Sequence, residues 1–193
     1  MTEHAAVESP GGGPTRDTPR GENVLVLAPS MDPAADGPCR ALTSGVDNLI
    51  VVSLTESPDS RVDAITTGAE RPRNVAAVGC DETRGASAAV APPADSNPSC
   101  ITVGSPGDLT GIGMHVDRLL SKFAGDGETA VCIHSLTTLL QYADTKAVFR
   151  FGHALTRKVR EVGATTHVHL DPATVDDRTL RTVQSLFDRT IEP

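Results

Sequence analysis

The chain has 193 residues, which is enough for one domain with a substantial core and short for two. Its net charge is −8 and only 3% of its residues are aromatic, so binding of nucleic acid through a basic surface is not expected. No stretch approaches the roughly 20 apolar residues that span a bilayer, and the N-terminus has no signal-like pattern. The composition therefore favours an acidic cytoplasmic protein without membrane attachment.

The four cysteines, Cys39, Cys80, Cys100 and Cys132, share no CxxC spacing. In a cytosolic protein such cysteines are expected to be reduced thiols. Cys132 lies in an apolar run, where a thiol behaves as a small hydrophobic side chain.

The first half of the chain contains two polar segments around three predicted strands. Residues 1–22 carry a Gly-Gly-Gly-Pro run and few apolar side chains, which predicts a disordered tail. Strands are predicted at 24–27, 49–54 and 75–78. Residues 81–99, rich in Ala, Pro, Ser and Asp, predict a flexible insertion in a single domain that spans 23–193.

The second half alternates strands and helices. Strands are predicted at 101–103, 130–133 and 167–170, and a short edge strand at 189–192. Apolar residues at helical spacing predict helices over 108–123, 145–162 and 175–187, the last beginning behind Thr174. Strands that alternate with helices predict an α/β fold with a mostly parallel sheet flanked by helices.

Three segments resemble a known family. Thr55-Glu56-Ser57-Pro58-Asp59 is similar to the acidic Glu-Glu-Ser/Thr-Pro turn of KaiC-type RecA-fold ATPases. The strand that ends in Ile133-His134-Ser135 resembles their Walker B strand, in which Asp precedes Ser. Residues 105–192 resemble uncharacterised haloarchaeal proteins grouped with RecA/KaiC/GvpD-like ATPases. The resemblance covers about residues 23–192 and implies a three-layer RecA-like, P-loop NTPase-like domain.

The turn after the first strand departs from the Walker A pattern G-x-x-x-x-G-K-[ST]. Ala28 and Pro33 stand at the two Gly positions, Ala34 at the Lys position and Ala35 at the Ser/Thr position. A phosphate loop binds its anion with backbone N–H groups, the Lys charge and a hydroxyl on Mg²⁺. Proline has no N–H, and Asp32 adds negative charge where a phosphate would lie.

The other catalytic positions have also changed. His134 stands at the Walker B Asp position, and Mg²⁺ prefers oxygen ligands. Of the acidic pair that prepares the attacking water, only Glu56 remains. Because phosphoryl transfer depends on these parts together, we predict a pseudo-ATPase without cofactor that binds another protein, such as an active RecA/KaiC-like ATPase. A monomer or dimer is then expected rather than a ring. The alternative is a divergent nucleotide sensor that does not need Mg²⁺.

Histidines and an aspartate suggest a less favoured metal site. His167, His169 and Asp171 alternate, so a strand would place all three on one face. His134 could join them at the carboxyl edge of the sheet, and such a set would suit Zn²⁺. Half-buried strand residues without a metal are the more usual explanation, and no metal is expected.

A basic cluster lies on the predicted helix 145–162, formed by Arg150, Arg157, Lys158 and Arg160. A solvated helix face is the usual meaning of such a cluster. By analogy with RecA-like assemblies, it could instead contact a neighbouring subunit.

Overall fold

The computed structural model describes residues 21–30, 32–68, 70–80 and 99–193. The predicted tail and insertion lie outside the described residues, apart from Gly21, Glu22 and Ser99. The extent of the domain therefore stays a prediction at these two places.

Seven strands in the described residues form one sheet, in the order β4-β3-β2-β5-β6-β1-β7. Every pair of neighbours in this sheet is parallel. The strands are β1 (Asn23–Leu27), β2 (Asn48–Ser53), β3 (Asn74–Cys80), β4 (Ser99–Val103), β5 (Thr129–His134), β6 (Thr165–Leu170) and β7 (Arg189–Ile191).

Six α-helices connect these strands in the described part of the chain. They are α1 (Gly37–Thr43), α2 (Pro58–Thr66), α3 (Leu109–Phe123), α4 (Leu136–Tyr142), α5 (Thr145–Val162) and α6 (Asp177–Gln184). Two short 3₁₀ turns, Pro33–Asp36 and Pro172–Thr174, precede α1 and α6 respectively.

The helices cover both faces of the sheet. Cys39 and Leu42 of α1 and Val62 of α2 pack with Val51 and Cys132 on one face. The opposite face packs against α3, α4, α5 and α6 in a larger core. Because both faces are covered, the strands are apolar almost throughout, as parallel strands usually are. The predicted fold class is confirmed: the domain is a three-layer α/β fold with a parallel sheet, an architecture consistent with a RecA-like domain.

The predicted helix 175–187 is wrong at both ends. Asp176, whose carboxylate accepts from Thr179 N–H, caps α6, so Thr174 is not its cap. Thr174 instead ends the preceding 3₁₀ turn. The edge strand follows the prediction, and so does the end of the helix 145–162, after which Gly163 has a positive φ of 67°.

None of the helices in the described residues is long and apolar enough to cross a membrane.

Candidate functional site

The turn that follows β1 lies at the carboxyl edge of the sheet, where open α/β sheets bind ligands. It leads through Pro33–Asp36 into α1. Ala28 and Ala35 are buried, whereas Ala34 is exposed. The four residues at the Walker A positions therefore lie in the strand-to-helix turn, and three of them have side chains that can neither neutralise a phosphate nor bind a metal.

The described backbone N–H groups of this turn have acceptors within the chain. The N–H of Ala28 donates to the Leu170 carbonyl at 3.1 Å, and that of Asp32 to the Pro29 carbonyl at 3.0 Å. Ala34 donates to Asp32 Oδ1 at 2.9 Å, and Ala35 to the Asp32 carbonyl at 3.0 Å. Asp32 thus caps the first turn with its own carboxylate, in the position where a phosphate loop would bind an anion.

A second carboxylate, that of Asp171 just beyond the end of β6, accepts hydrogen bonds from the turn. Asp171 Oδ2 accepts from Ser30 N–H at 2.9 Å and from the Ser30 hydroxyl at 3.0 Å. Its Oδ1 accepts from Ala173 N–H at 3.0 Å. Partial burial raises the pKa of Asp171, but these hydrogen bonds outweigh it and hold the pKa below its usual value. Asp171 is therefore a structural acceptor, ionised at neutral pH.

Glu56 forms an ion pair. Glu56 Oε1 lies 3.5 Å from Arg61 Nη1, and Asp36 Oδ1 lies 2.6 Å from the same nitrogen. The Arg61 side chain is only 4% exposed, and its Nε and Nη2 have no partner among the described residues. Glu56, which stands at one position of the acidic pair in the KaiC-type turn that this segment resembles, is thus held beside a buried guanidinium.

His134 ends β5 and is half-buried. Burial lowers the pKa of His134 to about 4, with the charge of Arg61 acting in the same direction and that of Asp36 against it. The imidazole is therefore neutral at pH 7. The peptide bond from His134 to Ser135 is cis, and Ser135 caps α4.

The predicted grouping of histidines is partly correct. The His134 and His169 rings lie with their centres 5.1 Å apart, and His167 and His169 are both buried. Asp171 does not join them, because it turns toward Ser30 just beyond the end of β6. In the less favoured metal alternative, two or three imidazoles join this carboxylate; the structure instead holds Asp171 in the turn by its hydrogen bonds with Ser30.

Two cysteines, and not the aspartate, lie beside the His169 imidazole. Cys39 Sγ lies 3.1 Å and Cys132 Sγ 3.9 Å from His169 Nε2. The ligand atoms of Cys39, Cys132 and His169 all lie within 4.8 Å of one another, and all three residues are buried. Burial lowers the pKa of His169 well below its usual value, and nearby His134 and Arg61 add to the effect.

Cys39 and Cys132 form a disulfide that joins α1 to β5, with their Cα atoms 6.5 Å apart. The prediction of four reduced cysteines is therefore wrong for this pair. Cys80 and Cys100 take part in no disulfide. The sequence spacing gave no hint, because 93 positions separate the two cysteines and only the packing of α1 on the sheet brings them together.

Arg61 and Cys39 are among the site residues that sequence reasoning missed. Both lie on buried faces of their helices: Arg61 falls in register with Pro58, Val62 and Ile65. A charged residue at a core position of an amphipathic helix is a signal that sequence alone provides. This signal can be used only once the helix α2 itself has been predicted.

Comparison with known proteins adds a family and a fold. Residues 21–193 match a family described as a family of unknown function, DUF7504. No curated protein matches the chain. A solved structure from Pyrococcus horikoshii OT3, described as a structural study of Project ID PH0250, is similar with a TM-score of 0.58 and 12% identity. The match covers 91% of this chain and 83% of that one, and at this identity it shows a shared fold only. The chain belongs to DUF7504, a family of unknown function.

Proposed function

We propose that this protein is a RecA-like pseudo-ATPase, which neither binds nor hydrolyses nucleotide and acts as a regulatory, protein-binding module. One observation carries the proposal: each described N–H from Ala28 to Ala35 donates to an acceptor of the chain itself. An incoming phosphate would have to displace the carboxylates of Asp32 and Asp171 and overcome their charge.

The remaining chemistry supports the same conclusion. The side chain at the Walker B position is the neutral imidazole of His134, which offers no carboxylate oxygen to Mg²⁺. Glu56 is paired with Arg61. No single residue change would restore catalysis, since positioning and charge stabilisation act together in phosphoryl transfer.

Isothermal titration of the full chain with ATP and ADP, with Mg²⁺ and with chelator, tests the loss of nucleotide binding. We expect no heat above dilution in any of the four titrations. Binding that persists with chelator would replace the proposal by the Mg²⁺-independent sensor. Binding that requires Mg²⁺ would overturn the pseudo-ATPase itself.

Helix α5 supports the protein-binding half of the proposal. Lys158 pairs with Asp117 at 3.1 Å, and Arg160 pairs with Asp188 at 2.6 Å. Arg150 and Arg157 are exposed and form no ion pair with the described residues. Two exposed guanidinium groups on one helix can contact acidic groups of a partner protein.

Charge reversal tests this surface. Tagged full-length protein is recovered from its own cells, and co-purifying proteins are quantified by mass spectrometry. We expect a stoichiometric partner that the double variant Arg150→Glu with Arg157→Glu loses by at least about tenfold. The exposed Arg71→Glu is the matched control and should retain it. Equal recovery with all three proteins would remove α5 from the proposal, and absence of any stoichiometric protein would contradict the protein-binding role.

A further inference from the structure

Four side chains with metal-binding chemistry form an array on the sheet face covered by α1. Cys132 and His134 lie two positions apart on β5, and His167 and His169 lie two positions apart on β6. The strands are adjacent and parallel, with Cys132 opposite His167. Because alternate residues of a strand share a face, all four side chains project to the same side.

Helix α1 adds a fifth donor above this array. Cys39 Sγ lies 3.1 Å from His169 Nε2, and Cys132 Sγ lies 3.9 Å from it. Two sulfurs and one imidazole nitrogen thus meet within 4.8 Å. His134 is the nearest further imidazole, with its ring centre 5.1 Å from that of His169.

The array leaves buried polar atoms without partners. His169 is 4% exposed and His167 3%. The Nδ1 atom of His134 finds no hydrogen-bond partner among the described residues, whereas Nε2 of His169 already contacts the two sulfurs. Unpaired buried nitrogens of this kind cost about 1–3 kcal/mol each. In native proteins such atoms call for an explanation, and a bound ion is one.

The donor types select the ion. Thiolate sulfur and neutral imidazole suit Zn²⁺, which binds Cys and His tetrahedrally, whereas Mg²⁺ and Ca²⁺ require oxygen. The carboxylate of Asp36 acts on His134 through its charge, and it is engaged by Arg61. Two thiolates would also neutralise one Zn²⁺, so the bound site carries no net charge into the core.

We propose that the reduced chain binds one Zn²⁺ through Cys39 Sγ, Cys132 Sγ and His169 Nε2, with His134 as the fourth ligand. The site exchanges with the Cys39–Cys132 disulfide, since both use the same two sulfurs. The zinc and the disulfide are alternative links between α1 and β5.

The exchange balances with a dithiol as reductant. Two electrons and two protons pass from the dithiol to the Sγ–Sγ bond, which breaks to give two thiols, and the dithiol becomes its own disulfide. Zn²⁺ then binds both sulfurs and releases the two thiol protons. An oxidant of the disulfide class reverses the sequence and expels the metal.

Metal analysis of the full chain tests the proposal. The protein is reduced with dithiothreitol, desalted under nitrogen, incubated with ZnCl₂ and desalted again before measurement by mass spectrometry. We expect about one zinc per reduced chain and background zinc on the oxidised chain. Cys39→Ser and His169→Ala should each weaken binding at least about 100-fold, since even second-shell changes reach that size. Cys80→Ser, which alters another buried thiol, should leave binding unchanged.

Two results would overturn the site: background zinc on the reduced wild-type chain, or undiminished zinc on Cys39→Ser. If a variant fails to fold by circular dichroism, Co²⁺ substitution of the reduced wild type replaces it. Thiolate-to-cobalt charge-transfer absorption with tetrahedral ligand-field bands is the expected spectrum. Octahedral Co²⁺ without charge transfer would also reject the assignment.

Discussion

The two polar regions beside α1 differ in how their groups are satisfied. In the turn after β1, the described N–H groups are bonded to carbonyls or to the carboxylates of Asp32 and Asp171. In the array beneath α1, the Nδ1 atoms of His134 and His169 have no hydrogen-bond partner among the described residues. The described N–H groups of the turn are thus hydrogen-bonded within the chain, whereas buried imidazole nitrogens beneath α1 are not.

This difference bears on which of the two regions is the better candidate for binding a ligand. A ligand gains little where it must displace bonds that the chain already makes, and it gains most where buried groups are unpaired. The place where the fold would bind phosphate is thus the weaker candidate for a ligand, and the cysteine–histidine array is the stronger one.

Acid should destabilise the buried array most. Burial lowers the pKa of His134 and His167 to about 4. For His134, the charge of Arg61 lowers the pKa further and that of Asp36 raises it. For His167, the charge of Arg189 lowers the pKa further and the Pro38 backbone raises it. Above pH 6.5 these imidazoles are neutral in both states. Between pH 6.5 and 4 only the unfolded chain binds the protons, so stability falls, by about 3 kcal/mol per imidazole.

Urea unfolding of the metal-free chain at pH 7.5, 6 and 5 measures this loss. His167→Gln should flatten the dependence, and the exposed His153→Gln should not alter it. Identical slopes for His167→Gln and the wild type would contradict buried neutral imidazoles.

Reduction of the disulfide should have the next largest effect. The bond joins residues separated by 93 positions, and its loss should lower the free energy of unfolding by about 2–5 kcal/mol. Urea unfolding with chelator, with and without dithiothreitol, measures the difference. Cys39→Ser should not respond to the reductant, and an unchanged wild type would show that α1 is not held by this link.

Loss of the Asp171 hydrogen bonds to the turn after β1 should lower the free energy of unfolding less than reduction of the disulfide does. Asp171→Ala removes the acceptor of Ser30 N–H and the cap of Pro172–Thr174, so we expect a loss of about 1 kcal/mol. Asp176→Ala removes the comparable cap of α6 and is the matched control. Hydrogen exchange should accelerate at Ser30 in Asp171→Ala alone. Equal protection of the Ser30 N–H in both variants would show that Asp171 is not its acceptor.

Removal of the Glu56 charge should have the smallest effect. Glu56 is 38% exposed and 3.5 Å from Arg61, which retains the closer Asp36 at 2.6 Å. Glu56→Gln should therefore change the free energy of unfolding by less than about 0.5 kcal/mol. Asp36→Asn should cost clearly more by the same urea titration. The reverse order would make Glu56 the main partner of Arg61.

Sequence patterns predicted the elements whose signal is local. The apolar runs located the strands within about two residues, and the helix 145–162 coincides with α5 because its buried stripe continues over five turns. Helices α1, α2 and α4 have seven to nine residues and were missed because they show no clear apolar period, whereas the equally short α6 was predicted from its apolar spacing.

Only the part of the site that depends on local sequence patterns could be predicted. Alternation placed His167 and His169 on one face, and the strand ends brought His134 near. The partners of Asp171 and Cys132 lie 141 and 93 positions away, and only tertiary packing selects them.

The melting temperature of the reduced full chain, measured by scanning calorimetry with ATP plus Mg²⁺ and then with Zn²⁺, tests the contrast between the two regions most directly. A ligand that binds only the folded state raises this temperature. We predict a rise with Zn²⁺ and none with ATP plus Mg²⁺. A rise with ATP plus Mg²⁺ and none with Zn²⁺ would contradict the account.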